Sequence, residues 1–152
     1  MQEIRLERTT SDSIHFRQLI YKLDDELSCM YGDSQEEFDQ FNVVENLNTV
    51  VIAYLNDVPA GCGCFKKFNH KTVEIKRMYV DPAHRGKKIS SAILMELESW
   101  AKKTGMHSMI LETGTIQLPA LSLYRKHGFS LIPNFEPYIG NELSICLQKM
   151  IL

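Results

Sequence analysis

The feature that most constrains this fold is a predicted strand, residues 72–80, whose apolar side chains change phase halfway along it. Two apolar residues occupy odd positions and the next two occupy even positions: Val73 and Ile75, then Met78 and Val80. A regular strand places alternate side chains on opposite faces, so a single phase should persist along its length. An irregularity near Lys76–Arg77 reconciles the two halves, and a β-bulge is its simplest form. We therefore expect a β-sheet that contains one bulged strand.

A short basic loop and an amphipathic helix follow this strand. The stretch from Ile75 to Leu94 reads IKRMYVDPAHRGKKISSAIL. A strand–loop–helix unit aims backbone N–H groups and the positive end of a helix at one point. Three basic side chains add charge there: Arg85, Lys87 and Lys88. A pyrophosphate is the ligand that this arrangement favours, although the loop contains neither the P-loop pattern nor the dinucleotide fingerprint.

Hydrophobic periodicity predicts the order βααβββαβαββ, a mixed α/β sheet rather than a series of regular βαβ units. Before residue 72 we expect a strand at Ile4 and Leu6, a helix capped by Ser11 or Asp12 and ended by Gly32, a short helix over 34–41, and strands over 49–55 and 58–68. The first helix carries one apolar stripe, made of Phe16, Ile20, Leu23, Leu27 and Met30. After residue 80 we expect a helix from Ile89 to Gly105, a strand about 109–111, a helix from Pro119 to about His127, and strands over 129–132 and 143–147.

The composition fits a single domain over residues 1–152. The chain carries 17 Lys and Arg against 19 Asp and Glu, and 44% of its residues are hydrophobic. A chain of this length buries a sizeable core without a metal or a disulfide. No apolar run approaches the roughly 20 residues of a membrane span, and residues 1–10 lack the apolar core of a signal peptide. We therefore expect a cytoplasmic protein that does not bind membranes.

The four cysteines show no spacing typical of metal ligands, and we expect no metal site. Cys62 and Cys64 lie two residues apart in a predicted strand, so their side chains point the same way and are poorly placed for a mutual disulfide. We expect all four, Cys29 and Cys146 included, to be buried or half-buried thiols.

Three segments together resemble the GNAT superfamily of acyl-CoA-dependent N-acetyltransferases. They are residues 74–94, the LETG run at 111–114 and the ALSLYRKHGF run at 120–129. The family's loop pattern, Q/R-x-x-G-x-G/A, falls on residues 85–90, where Lys88 replaces the first glycine and Ser90 the final Gly or Ala. Ser90 is small enough for the helix to approach phosphates, and the charge of Lys88 suits a pyrophosphate.

The resemblance implies a single-domain GNAT fold, a mixed and mostly antiparallel central sheet with a bulged, splayed strand and flanking helices. It implies an enzyme that transfers an acetyl group from acetyl-CoA to a primary amine of a small molecule or peptide, by direct attack in a ternary complex. The residues implied to bind coenzyme A comprise the end of the bulged strand, the loop with the next helical turn, and one later position: Met78, Tyr79, Val80, Arg85, Gly86, Lys87, Lys88, Ile89, Ser90, Ser91 and Gln117.

Tyr124 matches the family's tyrosine that protonates the departing thiolate. A positioned phenol can do so because its pKa of about 10 is not far above that of a thiol. Glu74 and Glu112 are candidate general bases that would pass the amine proton through water, although carboxylates in such places more often orient backbone or substrate. His84 has a suitable intrinsic pKa but flanks the loop, and we expect it on the surface.

The charge distribution offers a hypothesis for the acceptor. Residues 18–65 contain nine acidic side chains and one basic one, and acidic groups would attract an amine that arrives as a cation. Asp33, Glu36, Glu37 and Asp39 would lie near the mouth of the acceptor site; a solvated acidic helix pair is the alternative. Phe135 and Tyr138 would line the acceptor pocket or cover a contact between the two copies of a homodimer.

Two other functions compete with direct amine acetylation. A covalent route through a cysteine is disfavoured, since no cysteine has a partner histidine at a motif spacing. A sensor or assembly subunit that binds acyl-CoA on the same fold, without efficient catalysis, is the alternative that Tyr124 argues against. A nucleic-acid partner is not expected, because residues 1–71 have a net charge of −5 and the +3 of residues 72–152 matches a small polyanion.

Overall fold

Seven β-strands and three α-helices make up the part of the chain that the computed structural model describes, residues 3–32 and 46–152. The strands are β1 (Ile4–Thr9), β2 (Val50–Leu55), β3 (Val58–Lys67), β4 (Thr72–Val80), β5 (Ser108–Gly114), β6 (Ser130–Ile132) and β7 (Ser144–Met150). The helices are α1 (Ile14–Tyr31), α2 (Ile89–Lys103) and α3 (Leu118–Lys126), and a 3₁₀ turn over Pro82–His84 follows β4. The predicted helix over 34–41 lies outside the described residues.

The sheet is mixed and mostly antiparallel, as the resemblance implies. Its strand order is β1-β2-β3-β4-β5-β7-β6. The pairs β1/β2, β2/β3, β5/β7 and β6/β7 are antiparallel, whereas β4 and β5 are parallel. The parallel register aligns Thr72–Glu74 with Ser108–Ile110, so Glu74 lies beside the strand that carries Glu112.

The start of α1 differs from the prediction. Ser13, rather than Ser11 or Asp12, is the N-cap, and its hydroxyl accepts a hydrogen bond from an amide in the first turn. The Ser11 hydroxyl instead accepts a hydrogen bond from the Leu47 amide at 2.9 Å. The Ser11 hydroxyl is therefore engaged by Leu47, which is distant in sequence, and does not cap the helix.

The irregularity predicted in β4 lies at Arg77. The strand has its predicted bounds, yet Arg77 has a φ of 58° within it. This left-handed conformation interrupts regular alternation. Burial changes at the same place, because Thr72–Ile75 and Tyr79–Val80 are buried while Lys76–Met78 are half-buried. The backbone thus confirms the phase change, and we call Lys76–Arg77 the β4 bulge.

The chain divides into two compact units. The first comprises Met1–Phe65 and Lys76–Leu97, and the second comprises Lys66–Ile75 and Glu98–Leu152. The core of the first unit joins α1 to three strands through Phe16, Leu19, Ile20, Leu23, Val50, Ile52, Tyr54, Cys62, Cys64 and Tyr79. Among the largest fully buried side chains of the second unit are Tyr138, Met109, Leu111 and Leu147.

The apolar stripe predicted on α1 is buried only along part of the helix. Leu23 is its last buried residue and Leu27 is partly buried. Met30 is 46% exposed, because the helix continues past the side chains that cover it.

All four cysteines are free thiols, and three of them are buried as predicted. Cys29, near the end of α1, is exposed, so the prediction is wrong at that position. Cys62 and Cys64 both join the core of the first unit, which confirms that they share one face of β3.

None of the helices within residues 3–32 and 46–152 combines the length and apolarity that crossing a bilayer requires. In the same described part of the chain, no three His, Cys, Asp or Glu side chains are grouped as a metal ion would need.

Candidate functional site

The loop between β4 and α2 contains two residues with a left-handed backbone. Gly86 and Lys88 are both left-handed, with φ values of 81° and 64°. Left-handed residues in such a loop direct backbone N–H groups toward one side. The Ala92 amide donates to the Lys88 carbonyl, so the amides of Ile89 and Ser90 lie ahead of the hydrogen-bond ladder of α2. Lys88 thus adopts a conformation usual for the glycine that it replaces.

Charge and access around this loop suit the pyrophosphate of coenzyme A. Arg85, Gly86 and Lys88 are exposed and Lys87 is half-buried, while the first turn of α2 carries no acidic residue. Within residues 3–32 and 46–152, a Cβ added at Gly86 would meet no atom within 4 Å, so this part of the chain leaves the loop open on that side. The positive end of the α2 dipole adds to the charge of the lysines. The residues present therefore fit the group that the resemblance implies.

Side chains of α1 hold the segment around this loop. Lys22 pairs with Asp81 at 2.8 Å, and Glu26 pairs with Arg85 at 2.7 Å. The hydrogen bond from Lys22 is the largest cause that lowers the pKa of Asp81 below its ordinary value. Arg85 Nε also donates to the Val80 carbonyl at 2.9 Å. The Arg85 side chain therefore orders the loop through contacts within the protein itself.

The end of β4 approaches β3 closely. Met78 is half-buried, and Tyr79 is buried with Val80. A Cβ at Gly61 would lie 2.8 Å from the Tyr79 carbonyl oxygen, and one at Gly63 would lie 2.5 Å from Met78 Sδ. A side chain at Gly61 would push the end of β4 away from β3, whereas one at Gly63 would first displace the Met78 side chain.

Tyr124 is a buried phenol near the end of α3. Its side chain is 6% exposed, and its ring meets that of Phe129 edge-on with 5.7 Å between centroids. Burial, followed by the charge of Glu112, raises the pKa of Tyr124 well above its ordinary value. The phenol therefore stays protonated in the physiological range and has a proton to donate, while its raised pKa makes it a weaker acid than a free phenol.

Glu74 and Glu112 share one face of the sheet in the second unit. Glu74 is in register with Ile110, two residues before Glu112, and Cys146 is in register with Glu112. Residues two apart on a strand, and their cross-strand partners, point to the same face. Glu74 is 4% exposed, and Glu112 accepts a hydrogen bond from Ser144 Oγ at 2.7 Å. The two candidate bases thus belong to one polar face.

Tyr138 joins these carboxylates. It is 1% exposed, and its ring meets Phe135 edge-on at 5.7 Å. Burial, followed by the charges of Glu112 and Glu74, raises the pKa of the Tyr138 phenol. A side chain buried this deeply within its own chain does not form the surface of a contact between two copies, so that expectation is wrong for Tyr138.

The predicted site residues form two groups, one in each unit. Residues 78–80 and 85–91 belong to the first unit, and Glu74, Glu112, Tyr124 and Gln117 belong to the second. Gln117 is the N-cap of α3 without a side-chain capping hydrogen bond. The four acidic residues proposed for the acceptor site lie outside the described residues.

His84 departs from its expected place on the surface. It is half-buried, and its buried Nδ1 atom has no hydrogen-bond partner among residues 3–32 and 46–152. The 3₁₀ turn that contains His84 is capped by Asp81.

Sequence reasoning missed the charged residues of α1 that hold β4 and the loop. Lys22, Asp24 and Glu26 pair with residues more than fifty positions away: Asp81, Arg77 and Arg85. The alternation of Lys22, Asp24 and Glu26 along the helix is visible in the sequence. A pattern within one helix does not show which distant residues these charges will pair with.

Comparison with known proteins places these features in a family. The sequence pattern of the Acetyltransferase (GNAT) family matches residues 16–129. A protein named IAA acetyltransferase, from Azospirillum brasilense, is 32% identical over 134 residues, which span 87% of this chain and 88% of that protein.

Solved structures share the fold. A Klebsiella pneumoniae protein, described provisionally as an acyl-CoA N-acyltransferase, superposes with a TM-score of 0.76 at 28% identity and covers 100% of this chain and 99% of its own. A GNAT family acetyltransferase from Elizabethkingia anophelis, solved with acetyl-CoA bound, gives a TM-score of 0.69 at 21% identity over 97% of each chain. From its sequence pattern, its relatives and its fold, this chain belongs to the GNAT family of acetyltransferases.

Proposed function

We propose that this enzyme transfers the acetyl group of acetyl-CoA to a primary amine of a small molecule or peptide, by direct attack of the amine in a ternary complex. The observation that carries the proposal is the buried Tyr124, whose phenol stays protonated and whose position matches the acid of the family. Acetyl-CoA supplies the acetyl group as a thioester. The chain's own residues bind that thioester, orient it and handle the protons.

The loop before α2 binds the pyrophosphate in this proposal. Backbone amides from Arg85 to Ser91 surround the phosphates, and Lys87 and Lys88 add their charge. Support comes from the left-handed backbone at Gly86 and Lys88 and from the open space beside Gly86. Gln117 contacts the cosubstrate from the N-terminus of α3.

The end of β4 positions the pantetheine arm. Backbone groups of Met78, Tyr79 and Val80 pair with it, and an N–H of this stretch polarises the thioester carbonyl. The bulge at Arg77 supports this role because it changes the direction of the strand just before those residues.

Proton transfers complete the reaction. The amine nitrogen bonds to the acyl carbon, the carbon–sulfur bond breaks, and Tyr124 gives its proton to the departing thiolate. The amine loses a proton in the same reaction, and Glu74 or Glu112 accepts it through water. Both carboxylates lie on one polar face of the second unit, which supports a shared role.

We also propose one GNAT domain over residues 1–152, working in the cytoplasm as a homodimer. The family match over residues 16–129 runs through both compact units and supports the single domain. Light scattering of the purified protein measures whether two copies associate.

The decisive experiment mixes the protein with acetyl-CoA and a panel of amines and follows the release of free thiol. The panel spans polyamines, amino acids, aminoglycosides and peptide N-termini. We expect thiol release that depends on an amine, and a kcat about 100-fold lower in Tyr124→Phe with little change in KM.

Tyr21→Phe, at a tyrosine that is 78% exposed on α1, is the matched control and should keep the activity of the native chain. Tight binding of acetyl-CoA without turnover across the panel would support the sensor function instead. Absence of coenzyme A binding would exclude both functions.

A further inference from the structure

The β4 bulge has a conformation that its own sequence does not favour. Arg77 has a φ of 58°, in the left-handed region that residues with a Cβ rarely occupy. Such a conformation persists where surrounding contacts over-determine it. The contacts around Arg77 therefore indicate what maintains the bulge.

Among the described residues, side chains of α1 and β3 contact the bulge. Asp24, on α1, accepts a hydrogen bond from the Arg77 guanidinium at 2.5 Å, and the Arg77 side chain is 9% exposed. Cys62 Sγ donates to the carbonyl of Arg77 at 3.5 Å, and Cys64 Sγ donates to that of Lys76 at 3.3 Å. Each peptide unit of the bulge is thus tied to β3 through its carbonyl, while the Arg77 side chain is tied to α1.

The thiols can keep this donor role. Both are fully buried, and burial, followed by the charge of Cys64, raises the pKa of the Cys62 thiol. The proton that Cys62 donates therefore stays on the sulfur throughout the physiological range.

The carbonyl contacts fix the direction of the next amide. A trans peptide unit is planar, and its C=O and N–H point in opposite directions. The Arg77 carbonyl points at Cys62, so the N–H in the same peptide unit, that of Met78, points away from β3. A rotation of this peptide unit would turn the Met78 N–H with it.

We propose that Asp24, Cys62 and Cys64 are positioning residues, which hold the β4 bulge so that the Met78 amide donates a hydrogen bond to the acyl carbonyl of the cosubstrate. The inference rests on the proposed function, because it assigns an acyl thioester to this stretch of β4. It adds residues of α1 and β3 that act through the β4 bulge.

The test compares Asp24→Asn with Asp25→Asn. Both variants remove one negative charge from α1, but Asp25 is exposed and its change leaves the Arg77 contact intact. We expect kcat to fall about tenfold in Asp24→Asn, with KM for acetyl-CoA and for the amine within about twofold, since small misplacement of a reacting group lowers turnover. Asp25→Asn should match the native chain.

A second readout does not depend on turnover. In protein labelled with ¹⁵N-methionine, the Met78 amide signal, assigned through Met78→Leu, is compared with acetyl-CoA and with coenzyme A, which lacks the acyl carbonyl. The native chain should show a shift difference between the two ligands, and Asp24→Asn should lose most of it. Cys62→Ala should lose it as well, whereas Cys62→Ser should retain it because the hydroxyl remains a donor.

Several outcomes would overturn the inference. Equal kcat in Asp24→Asn and Asp25→Asn, or equal Met78 shift differences in native and Asp24→Asn protein, would contradict it while the proposed function stands. If Asp24→Asn lost coenzyme A affinity and thermal stability together while kcat stayed unchanged, these residues would have only a structural role. A native chain that neither turns over nor binds acetyl-CoA would overturn the proposed function and this inference together.

Discussion

Lys88 illustrates how one residue can depart from a family pattern and still serve it. The pattern has glycine there, and the chain has a lysine with a φ of 64°. The structure shows a left-handed backbone at this position, and the proposed function adds an anionic ligand. Lysine adopts the first at a cost of about 1 to 2 kcal/mol and adds a charge that suits the second.

Substitutions at Lys88 separate the backbone requirement from the charge. Lys88→Gly and Lys88→Val both remove the charge, but valine is β-branched and disfavours positive φ. We expect the Kd for coenzyme A to rise only a few-fold in Lys88→Gly and about tenfold more in Lys88→Val. Isothermal titration measures both affinities, and equal values would show that the loop conformation at this residue is unimportant for binding.

A feature at a single residue can be predicted from the sequence when its cause lies close to it along the chain. The irregularity at Arg77 could be predicted because two phases of one strand conflict within nine residues. The cap of α1 could not, because Ser11 is engaged by Leu47 from a distant part of the chain. Tyr138 likewise joined the carboxylates only through folding.

At the scale of elements, β3 approaches β4 and α2 closely within the first unit. Gly61 and Gly63 allow it, since a Cβ at either would lie within 3.2 Å of Ile93 side-chain atoms. The two sites differ in what else they face. The nearest atom is the backbone oxygen of Tyr79 for Gly61 and the flexible Met78 side chain for Gly63.

Alanine at these glycines should therefore have unequal effects. We expect Gly61→Ala to lower the free energy of unfolding by about 2 kcal/mol, because a backbone atom 2.8 Å away cannot move without shifting β4. Gly63→Ala should cost less, since the Met78 thioether can move to another rotamer. Urea denaturation of both variants tests the order, and a larger loss at Gly63 would contradict it.

At the scale of the whole molecule, the net charge of −2 hides an uneven distribution. The positive charge of residues 76–88 surrounds the proposed pyrophosphate loop, where five basic residues accompany one acidic residue. Part of the negative charge on α1 has a structural role, because Asp24 and Glu26 pair with Arg77 and Arg85. The four acidic residues proposed for the acceptor site lie outside the described residues, so that hypothesis stays a prediction.

Buried titratable groups should limit stability at high pH. Burial raises the pKa of the Cys62 thiol well above its ordinary value and that of Cys146 to about 11. It also raises the pKa values of the Tyr124 and Tyr138 phenols above their ordinary values. A raised folded-state pKa stabilises the fold fully below the unfolded-state value, and this stabilisation is lost as pH rises through the folded-state value.

We therefore expect the free energy of unfolding to fall above about pH 9, with a slope of about 1.4 kcal/mol per pH unit for each group involved. Urea titrations at pH 8, 9, 10 and 10.5 measure it. Tyr124→Phe should reduce the slope above pH 10, with Tyr21→Phe as the exposed control. A slope identical in native and Tyr124→Phe protein would contradict the account.

The sequence by itself determined the family, the order of the described elements, the basic loop before α2 and the irregularity in β4. These follow from short-range patterns of hydrophobicity, charge and turn residues, which act over one element at a time. Only the tertiary structure decided which charges meet across fifty residues, which hydroxyl caps α1, and that Glu74, Glu112 and Tyr138 lie together. The reason is physical: those contacts depend on packing between elements, and no local pattern records which surfaces will be brought into contact.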